Sequence, residues 1–181
     1  MEFADKRNNQ NYWRAKCYCG NIFLINTRNF LNERTRSCGC LKKEKLKQLG
    51  CDVLELPAEA DLPDSVFVED AAFILPQAAV ITRPGADSRK PETESIIQAL
   101  SPHIKLLHIR EPATLDGGDV LVIGKNIFIG ISTRSNQSAI DQLNEILAED
   151  GYTVTGVQLH DCLHLKSAVT RVDDNTLLIN K

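Results

Sequence analysis

The stretch 119-DVLVIGKNIFIGISTRSNQSAIDQLNEILAEDGYTVTGVQL-159 holds two short β-type runs, an amphipathic helix and a third β-type run, in that order. DVLVI (119–123), IFIGI (127–131) and TVTGVQL (153–159) are rich in β-branched residues and bounded by glycine or polar turns, the pattern of short strands. Between them, residues 136–149 put Ile140, Leu143, Ile146 and Leu147 on one stripe at helical spacing, and Gly151 follows. The same order recurs upstream. SVFVE (65–69), AVIT (79–82), a helix over 89–100 and IKLLHI (104–109) make a first copy. That helix carries Ile96, Ile97 and Leu100 on one side, and Ser88 is its expected cap. A third copy opens near residue 167 and includes TLLIN (176–180), and VLEL (53–56) reads as a further strand. The period is about fifty residues, too small a unit to bury its own faces, so the copies must stack on one another. Residues from 51 onward therefore predict an α/β fold of stacked ββαβ units, part of a closed ring.

The chain has 181 residues, enough for one core and a small module. Its net charge of −3 hides an asymmetry: residues 1–50 carry eleven Lys/Arg against four Asp/Glu, and the remainder is correspondingly acidic. The longest apolar runs are too short to span a bilayer, and the opening MEFADKRNNQ lacks the apolar segment of a secretory signal. No membrane association and a cytoplasmic location are expected. There, six cysteines read as thiols or metal ligands rather than as disulfides.

Four of the six lie early, as 17-CYC-19 and 38-CGC-40, with eighteen residues between the pairs. Cys17, Cys19, Cys38 and Cys40 could complete a tetrahedral structural Zn²⁺ site and staple a segment too small to build a core. Unrelated thiols are the alternative. Trp13, Arg14, Lys16, Arg28, Arg34 and Arg36 interleave aromatic with basic character, which suits a nucleic-acid partner for residues 1–50, or simply a solvated basic face. Residues 41–49 read as a helix ended by Gly50. The wording CxCG…SCGCLKKE, over residues 11–44, resembles small Cys-rich modules of phage and mobile-element DNA-binding proteins.

Three motifs are expected where strands end. In 63-PDSVFVEDAAF-73, Asp64, Glu69 and Asp70 flank an apolar run, and a carboxylate bordering a core needs a cation or donors. A guanidinium would serve, because its planar fork matches carboxylates; structural ion pairs or turn caps would also explain them. In 114-TLDGGDVLVIG-124, Asp116 precedes two glycines that permit close approach of a ligand, or form a plain turn. In 163-LHLKS-167, His164 lies between leucines, a setting shared by core histidines and by proton-transfer groups. Arg89 and Arg134 each stand at the start of a predicted helix, where a cation opposes the helix dipole. A misplaced cation in both copies points to an anion such as a substrate carboxylate, unless both are plain surface residues.

Taken together, the ordered set LPDSVFVED, ITRPGADSR, TLDGGDVL, ISTRSNQ and LHLKS, spread over residues 62–167, strongly resembles dimethylarginine dimethylaminohydrolase, a family of the guanidino-group-modifying superfamily with the pentein fold. The resemblance covers about residues 42–181. It implies that these residues form a partial pentein, an α/β propeller of ββαβ units; the small four-cysteine zinc-type module expected at 1–41 stands outside the resemblance. It also implies that a cysteine thiolate attacks the guanidinium carbon of an N-methylated arginine. A thiouronium forms, methylamine leaves, water releases citrulline, and no catalytic cofactor takes part. Carried over by motif, Asp64, Glu69 and Asp70 would hold the guanidinium and amine. Arg89 and Arg134 would pair with the α-carboxylate, His164 would be the general acid/base, and Asp116 the acidic member of the catalytic set. Arginine deiminases, acting on plain arginine, are near relatives, but they tend to carry Arg-Asp where this chain has Glu69-Asp70.

The chain departs from the family at both ends. The family nucleophile is a cysteine well beyond LHLKS, so residues 1–181 are expected to lack it and to show little hydrolase activity alone. Cys162 is a poor substitute: two residues from His164 in extended chain, its Cβ would lie roughly 6–7 Å from that of the histidine. The alternative is a zinc-stabilised nucleic-acid-binding protein with a non-catalytic pentein remainder. An open ring would expose strand edges and favour self-association.

Overall fold

The structure, a computed structural model, describes residues 2–7, 10–17, 19–31, 39–173 and 176–180. They form two compact units, 1–55 and 56–181.

The first unit is an antiparallel meander of β1 (Glu2–Arg7), β2 (Gln10–Lys16) and β3 (Ile22–Asn26), followed by α1 (Thr27–Leu31) and α2 (Cys40–Gln48). Trp13 packs edge-on against Phe3 with ring centroids 5.6 Å apart, and its indole N–H donates to Thr27 Oγ1 at 2.9 Å. Among the described residues only Ile25 and Cys17 of this unit are buried apolar side chains. So small a core makes further stapling valuable. Helix α2, rich in lysine, buries nothing; it starts after left-handed Gly39 and stops before left-handed Gly50, as the sequence predicts for its end.

The second unit contains the repeats. In the first copy, α3 (Val68–Ala71) leads into β4 (Ala72–Ile74), which pairs antiparallel with β5 (Ala79–Ile81). A 3₁₀ helix over Asp87–Glu92 and α4 (Thr93–Leu100) then return the chain to β6 (Leu106–His108), parallel to β5. In the second copy, a 3₁₀ turn at Gly117–Asp119 leads into β7 (Val120–Ile123), antiparallel to β8 (Asn126–Ile131). Helix α5 (Gln137–Ile146) leads to β9 (Thr153–Gln158), parallel to β8. A third copy opens with α6 (Leu165–Ala168) and the hairpin of β10 (Val169–Arg171) and β11 (Leu177–Ile179). The order of a ββαβ repeat is thus present twice, with a third begun.

One core serves both full copies: Phe73, Leu75 and Val80 pack with Leu115, Val120, Ile127, Ile129, Leu143 and Leu147. Each such side chain contributes about 1.5–3 kcal/mol by leaving water. Helix α5 earns its place through Ala139, Ile140 and Leu143, and Asn136 caps it by accepting from Ala139 N–H at 3.2 Å. From the same helix, Asn144 accepts from Val154 N–H (2.9 Å) and donates to Val154 O (3.0 Å), occupying part of the edge of β9.

Several local expectations are corrected. Residues 53–56 and 65–69 form no strand; Val66, Phe67 and Val68 are exposed, and the first strand of copy one falls at Ala72–Ile74. The run SVFVE does not alternate polar with apolar, and Glu69 at its end and Asp70 just after it are carboxylates that must be placed before pairing begins. Ser88 caps nothing: the 3₁₀ helix follows Ala86, and α4 follows Glu92 without a side-chain cap. No described helix is long and apolar enough to cross a membrane.

Candidate active site

The three motifs lie at strand beginnings rather than strand ends. Each copy opens with one helical turn, at Val68–Ala71, Gly117–Asp119 and Leu165–Ala168, and the middle turn touches the other two. The first turn carries Glu69 and Asp70. Asp116 immediately precedes the second turn and Asp119 ends it. His164 immediately precedes the third. One oxygen or nitrogen from each of Asp70, Asp116 and His164 lies within 4.8 Å of the others. The topology thus gathers residues 94 positions apart in the chain.

Gly117 and Gly118 make this meeting possible. A Cβ on Gly117 would run into the carbonyl oxygen of Glu69, and one on Gly118 would sit 2.8 Å from Asp70 Oδ1 and 2.9 Å from His164 Cγ. The glycines of TLDGGDVL admit the chain's own acid and imidazole. A cleft of about 410 Å³ borders the same place, lined in part by Phe67, Asp70, Gly118, His164 and Lys166.

Asp70 is buried and heavily bonded. Its Oδ1 accepts from Gly118 N–H at 2.9 Å, and its Oδ2 accepts from Arg89 Nη1 at 2.7 Å. Arg89 also donates from Nε and Nη2 to Glu92 Oε2 (3.0 and 2.8 Å) and from Nη2 to the Asp64 carbonyl (3.2 Å). Burial pushes the Arg89 guanidinium pKa down, but the hydrogen bonds and charges of Glu92 and Asp70 more than reverse this and hold it above its ordinary value. Arg134 is differently placed: its side chain is 31% exposed against 8% for Arg89, and its Nη1 stands 3.7 Å from Asp116 Oδ2.

Asp116 is fully buried. Its Oδ1 accepts from Gly85 N–H at 2.9 Å, while Oδ2 has no hydrogen bond. Burial raises its pKa, and the charge of Asp70 adds to the rise; the Gly85 N–H, Arg134 and His164 offset part of it. Glu69 and Asp64 are exposed; Glu69 Oε1 accepts from Lys166 Nζ at 2.5 Å. Among the described residues no cysteine joins the Asp70–Asp116–His164 group, and Cys162 is half-buried outside it.

Sequence reading missed Asp119, Glu92, Ser135 and Lys166 as parts of this neighbourhood. Asp119 carried a usable signal, an aspartate directly before a fully apolar strand. In the first unit, Cys17, Cys19 and Cys40 place their sulfur atoms within 4.8 Å of one another, with Cys17 Sγ 3.5 Å from Cys40 Sγ. Cys38, Arg34 and Arg36 lie outside the described residues.

Two ββαβ copies and the start of a third, with acids, arginines and a histidine gathered where they meet, define an α/β class of stacked repeats. Residues 58–181 match the model of the arginine deiminase family, and the chain belongs to that family. Among its relatives is the N(G),N(G)-dimethylarginine dimethylaminohydrolase of Streptomyces coelicolor, 43% identical over 136 residues, which cover 75% of this chain and 53% of the relative. The enzyme of the same name from Pseudomonas aeruginosa is 38% identical, over 74% of this chain and 53% of its own length. A solved structure of that enzyme in mutant form, complexed with citrulline, superposes with a TM-score of 0.72 at 35% identity and covers 77% of this chain and 56% of that one. The N-terminal domain of ArgZ, a cyanobacterial arginine dihydrolase, shares the fold with a TM-score of 0.66 at 19% identity. The chain spans about half the length of these dimethylarginine hydrolases. The fold is a pentein-type α/β fold.

Proposed function

We propose that residues 56–181 carry the substrate-holding and proton-transferring groups of a hydrolase that converts N-methylated arginine to citrulline and a methylamine. The observation that supports this most is the meeting of Asp70, Asp116 and His164 beside a cleft. In this reading a cysteine thiolate forms a C–S bond to the guanidinium carbon. The C–N bond to the methylamine breaks as His164 gives that nitrogen a proton. Water, giving a proton to His164, then forms a C–O bond to the same carbon, and the C–S bond breaks to release citrulline and the thiolate. No described cysteine is assigned as that thiolate. No cofactor takes part in these steps. Asp64, Glu69 and Asp70 would hold the guanidinium and amine. Arg134 is the better partner for the α-carboxylate, because Arg89 is committed to Asp70 and Glu92 and serves to fix the Asp70 carboxylate. Asp116 supplies negative charge beside the imidazole.

Calorimetric titration with dimethylarginine and with arginine tests this. Binding of dimethylarginine, weakened at least about tenfold by Asp70→Asn, is expected. Absence of binding overturns the proposal, and a preference for plain arginine favours a deiminase. Citrulline release at ordinary enzyme rates would in addition place a working thiolate within residues 1–181.

For residues 1–55 we propose a structural Zn²⁺ held by Cys17, Cys19 and Cys40 with Cys38 as fourth ligand, supported by the sulfur cluster and the small core. Exposed Arg14 and Lys16 on β2 make nucleic acid the partner in this reading. Elemental analysis showing no zinc, or DNA binding that does not weaken with salt, removes the respective part. The exposed Leu178 and Ile179 of the β10–β11 hairpin support self-association, which a purely monomeric sedimentation profile at rising concentration would exclude.

A further inference from the structure

Asp119 begins as a problem of burial. It is 0% exposed, at the end of the DGGD turn and directly before β7. A carboxylate in that place is costly unless its oxygens find partners. Its Oδ2 accepts from Ser135 Oγ–H at 2.7 Å, and its Oδ1 accepts from Leu165 N–H at 3.0 Å. Among the described residues, the one side chain able to carry a positive charge that lies within 4.0 Å of it is His164, whose Nδ1 stands 3.4 Å from Oδ1.

His164 poses the complementary problem. Its side chain is 14% exposed, and Nδ1 is buried without a hydrogen bond of ordinary geometry. The gap to Asp119 is long for such a bond, and hydrogen bonds of this kind commonly tighten only in the working complex. A rotation of the imidazole that closes this gap would give Nδ1 the partner it lacks. The backbone N–H that Asp119 already holds belongs to Leu165, the residue next to the imidazole, so one carboxylate oxygen grips the chain on which the ring turns. Space for that grip comes from Gly130: a Cβ there would lie 3.0 Å from both Asp119 Oδ1 and Leu165 Cβ.

The two aspartates of the turn therefore divide their work. Asp116 Oδ2 faces Arg89 at 3.9 Å and Arg134 at 3.7 Å. Asp119 faces no arginine or lysine among the described residues. Ser135 holds the two in register, because its hydroxyl accepts from Asp116 N–H at 3.1 Å while donating to Asp119.

We propose that Asp119, anchored by Ser135, is the positioning residue for His164: it accepts the Nδ1 proton, fixes the imidazole tautomer and leaves Nε2 for proton exchange with the substrate. The inference rests on the reading of His164 as the proton-transfer group. A histidine nitrogen tied to a carboxylate sets which nitrogen carries the proton and stabilises the imidazolium formed on protonation.

Nitrogen-15 NMR of the imidazole in the full 181-residue chain tests it. The expected result is a neutral tautomer protonated on Nδ1 by at least about tenfold over Nε2, the bias a single hydrogen bond to a charged group sustains. Predominant protonation of Nε2 in the wild-type chain overturns the proposal without need of any variant. In Asp119→Asn the tautomer bias should collapse, and in Ser135→Ala it should weaken, while Asp116→Asn should leave it in place. If Asp119 only caps the Leu165 amide, Asp119→Asn changes melting temperature but not the ring-nitrogen shifts, and that outcome also overturns the proposal. Adding dimethylarginine separates the two layers of inference. Unperturbed His164 nitrogens would break the hydrolase reading and leave the tautomer result standing.

Discussion

The two complete ββαβ copies share a topology and treat their arginines in opposite ways. In the first copy, Arg89 enters the core on a 3₁₀ helix and is neutralised by Asp70 and Glu92. In the second, Arg134 sits in the loop before α5, partly exposed and turned toward the orphan oxygen of Asp116. Their sequence settings look alike, a cation shortly after a strand and close to a helix start. What differs is what surrounds them. The first arginine holds an acid of the site in place, and the second keeps its guanidinium accessible. A repeat can thus bury one arginine in an ion-pair network and leave its counterpart accessible, according to which neighbours the other copies bring.

The largest expected effect contrasts these arginines. Arg89→Ala strands two buried carboxylates and should destabilise the fold by about 3–5 kcal/mol. Arg134→Ala should cost less than about 1 kcal/mol in chemical denaturation while weakening ligand binding. Equal losses would break the comparison. Next comes the turn that joins the copies: Gly118→Ala should destabilise by about 1–3 kcal/mol, because the added methyl meets both Asp70 and His164.

Helix capping sharpens the contrast further. Asn136→Ala should cost about 1–2 kcal/mol, whereas Ser88→Ala, exposed and capping nothing, should stay within about 0.5 kcal/mol. The smallest effect is electrostatic. Asp116 has its carboxyl pKa raised above the ordinary 3.8, so the folded state binds that proton more tightly than the unfolded chain. The associated stability is present below that value and is lost as pH rises through the elevated folded pKa. Stability of the wild type relative to Asp116→Asn should therefore fall on raising pH across this window. A flat difference would place Asp116 in a more polar setting than its burial implies.

The repeat was legible because its strands and helices carry period-two and helical apolar patterns. Helix α5 shows Ile140 and Leu143 where the periodicity put them, and its cap Asn136 falls at the predicted start. Two misreadings share a cause. SVFVE has strand-like composition, yet Phe67 and its neighbours are exposed beside the cleft, because the carboxylates of Glu69 and Asp70 had to be turned toward partners far along the chain. The motif acids, arginines and histidine could be named from their order, but nothing local told Asp119 from an ordinary turn aspartate.

By itself, the sequence determined the α/β class, the copy number begun within the chain, the charge division between its parts and the residue types at the site. These depend on local pattern and composition. Only the tertiary structure decided that three helical turns meet at one centre, that Arg89 is sequestered while Arg134 is accessible, and that Asp119 rather than Asp116 stands at His164 Nδ1. Those outcomes depend on distances between side chains in different copies. Burial and pairing are properties of what the fold brings together, and no window of neighbouring residues contains them.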